Sequence, residues 1–108
     1  MITLEQAEAA LVHLSETDEA LARAKGELEY AKHYAKTENS IAFIEAEGKS
    51  VADRNARAQT DPAYEKAQQR LRDAVYDLSI ISSRRKQSEL TVELWKCINA
   101  ARGRGQII

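Results

Sequence analysis

A single cysteine, Cys97, closes off two structural solutions at once: no intrachain disulfide can form, and no cysteine-based metal frame exists. A single proline, Pro62, leaves long stretches free of helix breakers. The four glycines are scattered, so no glycine-rich loop of the phosphate-cradling kind can be traced. The two histidines, His13 and His33, stand far apart, and neither belongs to an HExxH or ExxH pattern. No apolar run approaches the roughly 20 residues that span a bilayer, and Glu5 and Glu8 interrupt the segment from Met1 to Leu14 where a signal peptide would lie. These absences argue against a disulfide scaffold, a metalloenzyme, a P-loop protein and a membrane protein. A cytoplasmic protein without cofactors is the expectation.

What is present points to helix. Charged residues make up 31 % and hydrophobic residues 44 % of a 108-residue chain that fits one domain. Much of that hydrophobic fraction is alanine, so the core is thin. Helices draw most of their stability from tertiary burial, and a lone hairpin with a thin core is marginal. Self-association or a protein partner is therefore expected. Charge is unevenly divided: residues 1–59 carry seven Lys/Arg against eleven Asp/Glu, and residues 60–108 carry nine against six. Such halves favour packing against one another.

The corner of the chain is Gln59-Thr60-Asp61-Pro62-Ala63-Tyr64, with Asp61 as N-cap and Pro62 at the first helical position. Upstream, Thr3-Leu4-Glu5-Gln6 is a capping box, and Leu4, Ala7, Leu11 and Leu14 form an apolar stripe. Ser15 to Glu19 is dense in capping residues and acids, which favours a break near Ser15–Thr17 and a short helix over 4–14; a continuous helix is the alternative. From Asp18 the stripe resumes through Leu21, Ala24, Leu28, Ala31, Ala35, Ile41, Ile44 and Val51, predicting a first long helix over 18–59. Gly48 and the Ser50…Asp53 capping pattern predict a kink or short interruption at 48–50. A second long helix is predicted over 62–102. Its seam keeps strict three- and four-residue steps: Tyr64, Ala67, Leu71, Ala74, Leu78, Ile81, Arg85, Ser88, Val92, Trp95. The fold class is thus all-α: a coiled-coil-like antiparallel hairpin with a short N-terminal helix, expected to be oligomeric.

The chain offers little to catalysis. Carboxylates on Ala/Glu-rich helices read as solvated faces, Cys97 as a small buried apolar residue, and both histidines as solvated or cap-satisfied groups. No catalytic residue and no metal ligand is assigned, and a non-enzymatic protein is expected. Two surfaces remain. Leu90, Leu94 and Ile98 lie off the seam of the second helix and are the candidate oligomer interface. Arg84, Arg85, Lys86, Lys96, Arg102 and Arg104 give residues 82–108 six cations against two acids, a candidate nucleic-acid strip. Aromatic interleaving is missing, and pairing of these cations with the acidic first half is the competing reading.

A family likeness enters through Val51-Ala52-Asp53-Arg54, Ala58 and Asp61-Pro62-Ala63-Tyr64, followed by Val92-Glu93-Leu94-Trp95-Lys96 and Asn99-Ala100-Ala101-Arg102. Over roughly residues 50–102 this pattern resembles small helical proteins of tailed-phage and prophage genomes, mostly without assigned function and often encoded near recombination or replication genes. Lys96 stands where an arginine is more usual. The resemblance implies a phage-associated accessory protein in the cytoplasm of a bacterial host. An unidentified protein partner or, alternatively, nucleic acid is the expected target. A corner at 60–62 also implies a register in which facing residue numbers add to 122–123. Arg85 then falls opposite Glu38, and the two interruptions are expected to form a partly buried ion pair. A one-turn shift at Gly48–Ser50, bringing Asn39 or Lys36 toward Arg85, is the alternative.

Overall fold

The computed structural model describes residues 1–105. Three helices account for nearly all of them: α1 (Leu4–Glu45), α2 (Val51–Ala58) and α3 (Pro62–Gly103), with no strand among the described residues. The chain divides into two compact units, one formed by Met1–Ala22 with the segment from Ser79 onward, the other by Arg23–Leu78. Within each unit a segment of α1 lies against a segment of α3, and α2 belongs to the second.

Helix α1 starts on the expected capping box: the Thr3 N–H donates to Gln6 Oε1 at 2.8 Å, and the Gln6 N–H donates to Thr3 Oγ1 at 3.1 Å. It then runs unbroken through Ser15–Thr17, so the separate helix expected over 4–14 does not form. The reason is local. The Thr17 hydroxyl donates back to the His13 carbonyl at 2.6 Å, satisfying itself inside the helix instead of capping a new one.

The interruption expected at 48–50 is a full stop, and the first long helix does not reach 59. Helix α1 ends at Glu45, and Arg54 reaches back from α2 to cap it, donating to the Ala46 and Ile44 carbonyls at 3.2 and 3.1 Å. Ser50 caps α2 by accepting from the Asp53 N–H at 3.1 Å. The Asp53 carboxylate accepts from the Lys49 N–H at 3.3 Å, and a Cβ on Gly48 would stand 2.6 Å from that same oxygen. At the corner, Asp61 Oδ1 accepts from the Ala63 and Tyr64 N–H groups at 2.9 and 3.2 Å, with Pro62 at the first helical position as expected.

All ten seam positions foreseen on α3 are buried or half-buried. On α1 the expected stripe holds through its middle and departs toward its two ends. Ala7, Ala10, Leu14, Thr17, Leu21, Ala24, Leu28, Ala31, Ala35, Glu38 and Ala42 keep heptad spacing and are withdrawn from solvent, whereas Leu4, Leu11, Ile41 and Ile44 are exposed. The buried hydrophobic residues are nine alanines and Val92. Alanine side chains let helix backbones approach closely, so the buried positions are mostly small, with larger seam residues such as Leu14, Leu21, Leu28, Leu71 and Trp95 half-buried between them.

The register also differs from expectation. In the first unit Arg85 Nη1 donates to the Leu14 carbonyl at 2.8 Å and to Thr17 Oγ1 at 2.7 Å, while Nη2 reaches Asp18 Oδ1 at 2.7 Å. In the second unit Arg70 pairs with Glu27 at 2.7 Å. Facing numbers therefore add to about 97–103, not 122–123. The expected Glu38–Arg85 pair is replaced by Asp18–Arg85. The cause is the break after Glu45: residues 46–61, including α2, form the connection, which moves its midpoint toward the N-terminus.

Candidate interaction surface

In the first unit, α1 and α3 border an open groove of about 490 Å³. One wall is Ile2, Gln6, Ala9, Ala10 and His13; the other is Arg84, Gln87, Ser88 and Thr91. Both walls follow from periodicity, because residues three and four apart share one helix face. On α3 the steps 84, 87, 91 continue to 94 and 98, so Leu94 and Ile98 extend that wall. Leu90 is 54 % and Leu94 51 % exposed, while Ile98 is half-buried. The described chain leaves both leucines about half exposed, and residues 4–14, expected as a short separate helix, are simply the start of α1.

His13 departs from its expected solvated or capped state: it is half-buried, and its Nε2 has no hydrogen-bond partner. His33 is exposed, as expected. Cys97, expected to be buried, is exposed, because it projects from the side of α3 away from the seam. No cluster of three or more His, Cys, Asp or Glu able to hold a metal ion exists among the described residues. None of the helices is long and apolar enough to cross a membrane, among the described residues.

The six cations of the candidate strip do not share one face. Arg85 is only 14 % exposed in its side chain and is occupied by Leu14, Thr17 and Asp18. Lys86 lies 3.9 Å from Glu89, and the Arg102 guanidinium donates to Met1 Sδ at 2.9 Å. Arg84 borders the groove, whereas Lys86 and Lys96 fall at other angles around the helix. Arg84, Lys96 and Arg104 are exposed.

The second unit holds a cluster that sequence reasoning missed. Arg70 donates through Nε and Nη2 to the two Glu27 carboxylate oxygens at 2.7 and 3.2 Å, a bidentate pair. Its guanidinium carbon lies 4.6 Å from the Tyr30 ring centroid and 5.8 Å from that of Tyr34, and the two rings stack at 6.1 Å. The hydrogen bond from Arg70 holds the Glu27 carboxyl below its ordinary value, and the same bond raises the guanidinium. The spacing of Glu27, Tyr30 and Tyr34 on one helix face was the available signal; the wrong register hid Arg70. A further cleft of about 320 Å³, lined by Asn39, Ser40, Phe43, Ile44, Val51 and Asn55, opens where α1 meets α2.

Comparison of the chain with protein-family models, with curated proteins and with solved structures gives no match.

Proposed function

We propose that this chain is a non-enzymatic helical accessory protein that acts through protein–protein interaction and self-association. The observation that carries the reading is the thin core: the buried side chains are nine alanines and Val92, while Leu90 and Leu94 stand about half exposed on one helix. Burying apolar surface is worth about 25 cal/mol per Å². A core whose buried members are mostly methyl groups captures little of this, and the leucines left outside offer more to an added helix. The phage or prophage setting, with a place in phage DNA metabolism inside a bacterial cytoplasm, rests on the resemblance of residues 50–102 alone.

Sedimentation velocity across a concentration series tests the self-association. A species of twice the chain mass or more at tens of micromolar is the expected outcome; a monomer at every concentration rules it out. Nucleic-acid binding is the weaker reading, favoured by exposed Arg84, Lys96 and Arg104 and weakened by the engagement of Arg85. If it holds, affinity for labelled DNA falls steeply between low and physiological salt, and the Arg84→Ala, Lys86→Ala, Arg104→Ala variant loses it without unfolding.

A further inference from the structure

We propose that the groove of the first unit receives a second copy of this chain, with the α1 wall of each copy laid against the α3 wall of the other. This proposal rests on the self-association reading and specifies its surface, occupant and register. The groove has a polar end at His13, Arg84 and Gln87. Its other end is apolar, with Ile2 just ahead of α1 and, along the row 84, 87, 91, 94, 98, the side chains of Leu94 and Ile98 on α3. An amphipathic helix fits such a groove through anchors at three- and four-residue steps.

Charge decides which helix that is. Residues 1–22 contain five acids, Glu5, Glu8, Glu16, Asp18 and Glu19, and no lysine or arginine. Residues 79–105 contain six Lys/Arg against Glu89 and Glu93. On the groove side the segregation is sharper still: Glu16, three residues beyond His13, edges the α1 wall, and Arg84 edges the α3 wall. Glu89 and Glu93 fall on the other flank of α3. The groove therefore presents one acidic and one basic rim, and it is complementary to itself.

Two two-fold arrangements can stack such hairpins. A symmetry axis across the helices sets the acidic α1 segments against each other. An axis along the helices sets α1 against α3 of the second copy, acid against base, twice per dimer. The register that places Arg85 beside Leu14 and Thr17 also places Glu16 level with Arg84 of the second copy. His13, on the same wall, comes level with Gln87 of the second copy. The product is a four-helix bundle over this unit, the usual way two hairpins bury their remaining faces.

The experiment uses two charge-reversal variants, Glu16→Arg and Arg84→Glu, followed by sedimentation equilibrium. Both positions are exposed, so helicity should match the wild type. Each variant alone juxtaposes like charges at both symmetric contacts and should dimerise about tenfold more weakly, a change of ~1.4 kcal/mol. An equimolar mixture should form heterodimers as tightly as the wild type. One of the two symmetric contacts then joins the introduced arginine to the introduced glutamate, and the other keeps the native Glu16–Arg84 pairing. A contact within one chain cannot be rescued by mixing. Failure of the mixture to dimerise overturns the proposed pairing. Variants that each dimerise like the wild type overturn the groove as the interface while leaving self-association standing. A wild type that stays monomeric overturns both.

Discussion

Arg85 illustrates what a single polar residue in a seam requires. Its guanidinium is withdrawn from solvent and satisfied by a carbonyl, a hydroxyl and a carboxylate, all from one stretch of α1. Removing it leaves the Leu14 carbonyl and Thr17 hydroxyl short of a donor and opens a gap on the seam. Arg85→Ala is expected to lower stability by about 1–3 kcal/mol, read from urea unfolding. Glu38→Gln, by contrast, should change it by less than about 0.5 kcal/mol, as usual for a substitution with no special partner. Equal effects of the two would contradict the observed register. The Arg70–Glu27 pair gives a pH test. Glu27 has its carboxyl depressed in the folded state, so its contribution is present above the ordinary value of 4.5 and lost as pH falls through the folded value. Arg70 is raised, so its contribution persists through the whole range below its ordinary value. The difference in melting temperature between wild type and Arg70→Gln should therefore be constant near neutrality and shrink under acid, below pH 4.5. A difference that grows in acid would assign the effect to another group.

At the level of elements, two glycines in helical or near-helical context do different things. A Cβ at Gly26 meets nothing within 4 Å, so no other helix approaches there and the residue only costs α1 backbone entropy. Gly26→Ala should stabilise the protein by about 0.5–1 kcal/mol, seen as a higher denaturation midpoint. Gly48 sits where its hydrogen faces the Asp53 carboxylate, and a methyl group there would dislodge the oxygen that accepts from Lys49. Gly48→Ala should therefore fail to give the stabilisation expected at position 26, and should instead weaken protection of α2 amides in hydrogen exchange. The break itself is an element-scale event. Arg54, Ser50 and Asp53 together satisfy the end of one helix and the start of the next, so stopping α1 at Glu45 leaves few orphaned groups.

For the whole molecule, a core built mostly of alanine sets a modest intrinsic stability, and the proposed self-association would add to it. Anything that binds only the folded form raises its apparent stability by mass action. The thermal midpoint should accordingly climb as protein concentration increases, and adding salt should flatten that climb by screening the rim charges on the groove. A midpoint independent of concentration over two decades would mean that each chain stands alone.

All-α character, the capping box at Thr3–Gln6, the Asp61–Pro62 corner and the full seam of α3 could be read from residue order, because each depends on hydrogen bonds or periodicity within a few turns. The seam of α1 could be read through its middle, where Leu14, Leu21, Ala24, Leu28, Ala31 and Ala35 are withdrawn from solvent as expected. It could not be read at its ends, where Ala10, Thr17, Glu38 and Ala42 are withdrawn and Leu4, Leu11, Ile41 and Ile44 are exposed. Both choices satisfy helical spacing, and only tertiary packing selects between them. The same holds for register. It depends on where α1 stops, and that is settled by Arg54 reaching back ten residues to the Ile44 carbonyl, a contact that exists only once α2 has folded against the end of α1. A stop placed too late matches both arginines to the wrong acids, Arg85 to Glu38 and Arg70 to Asp53. Helix existence belonged to the local sequence; which faces meet, and at what height, was decided by packing between residues distant along the chain.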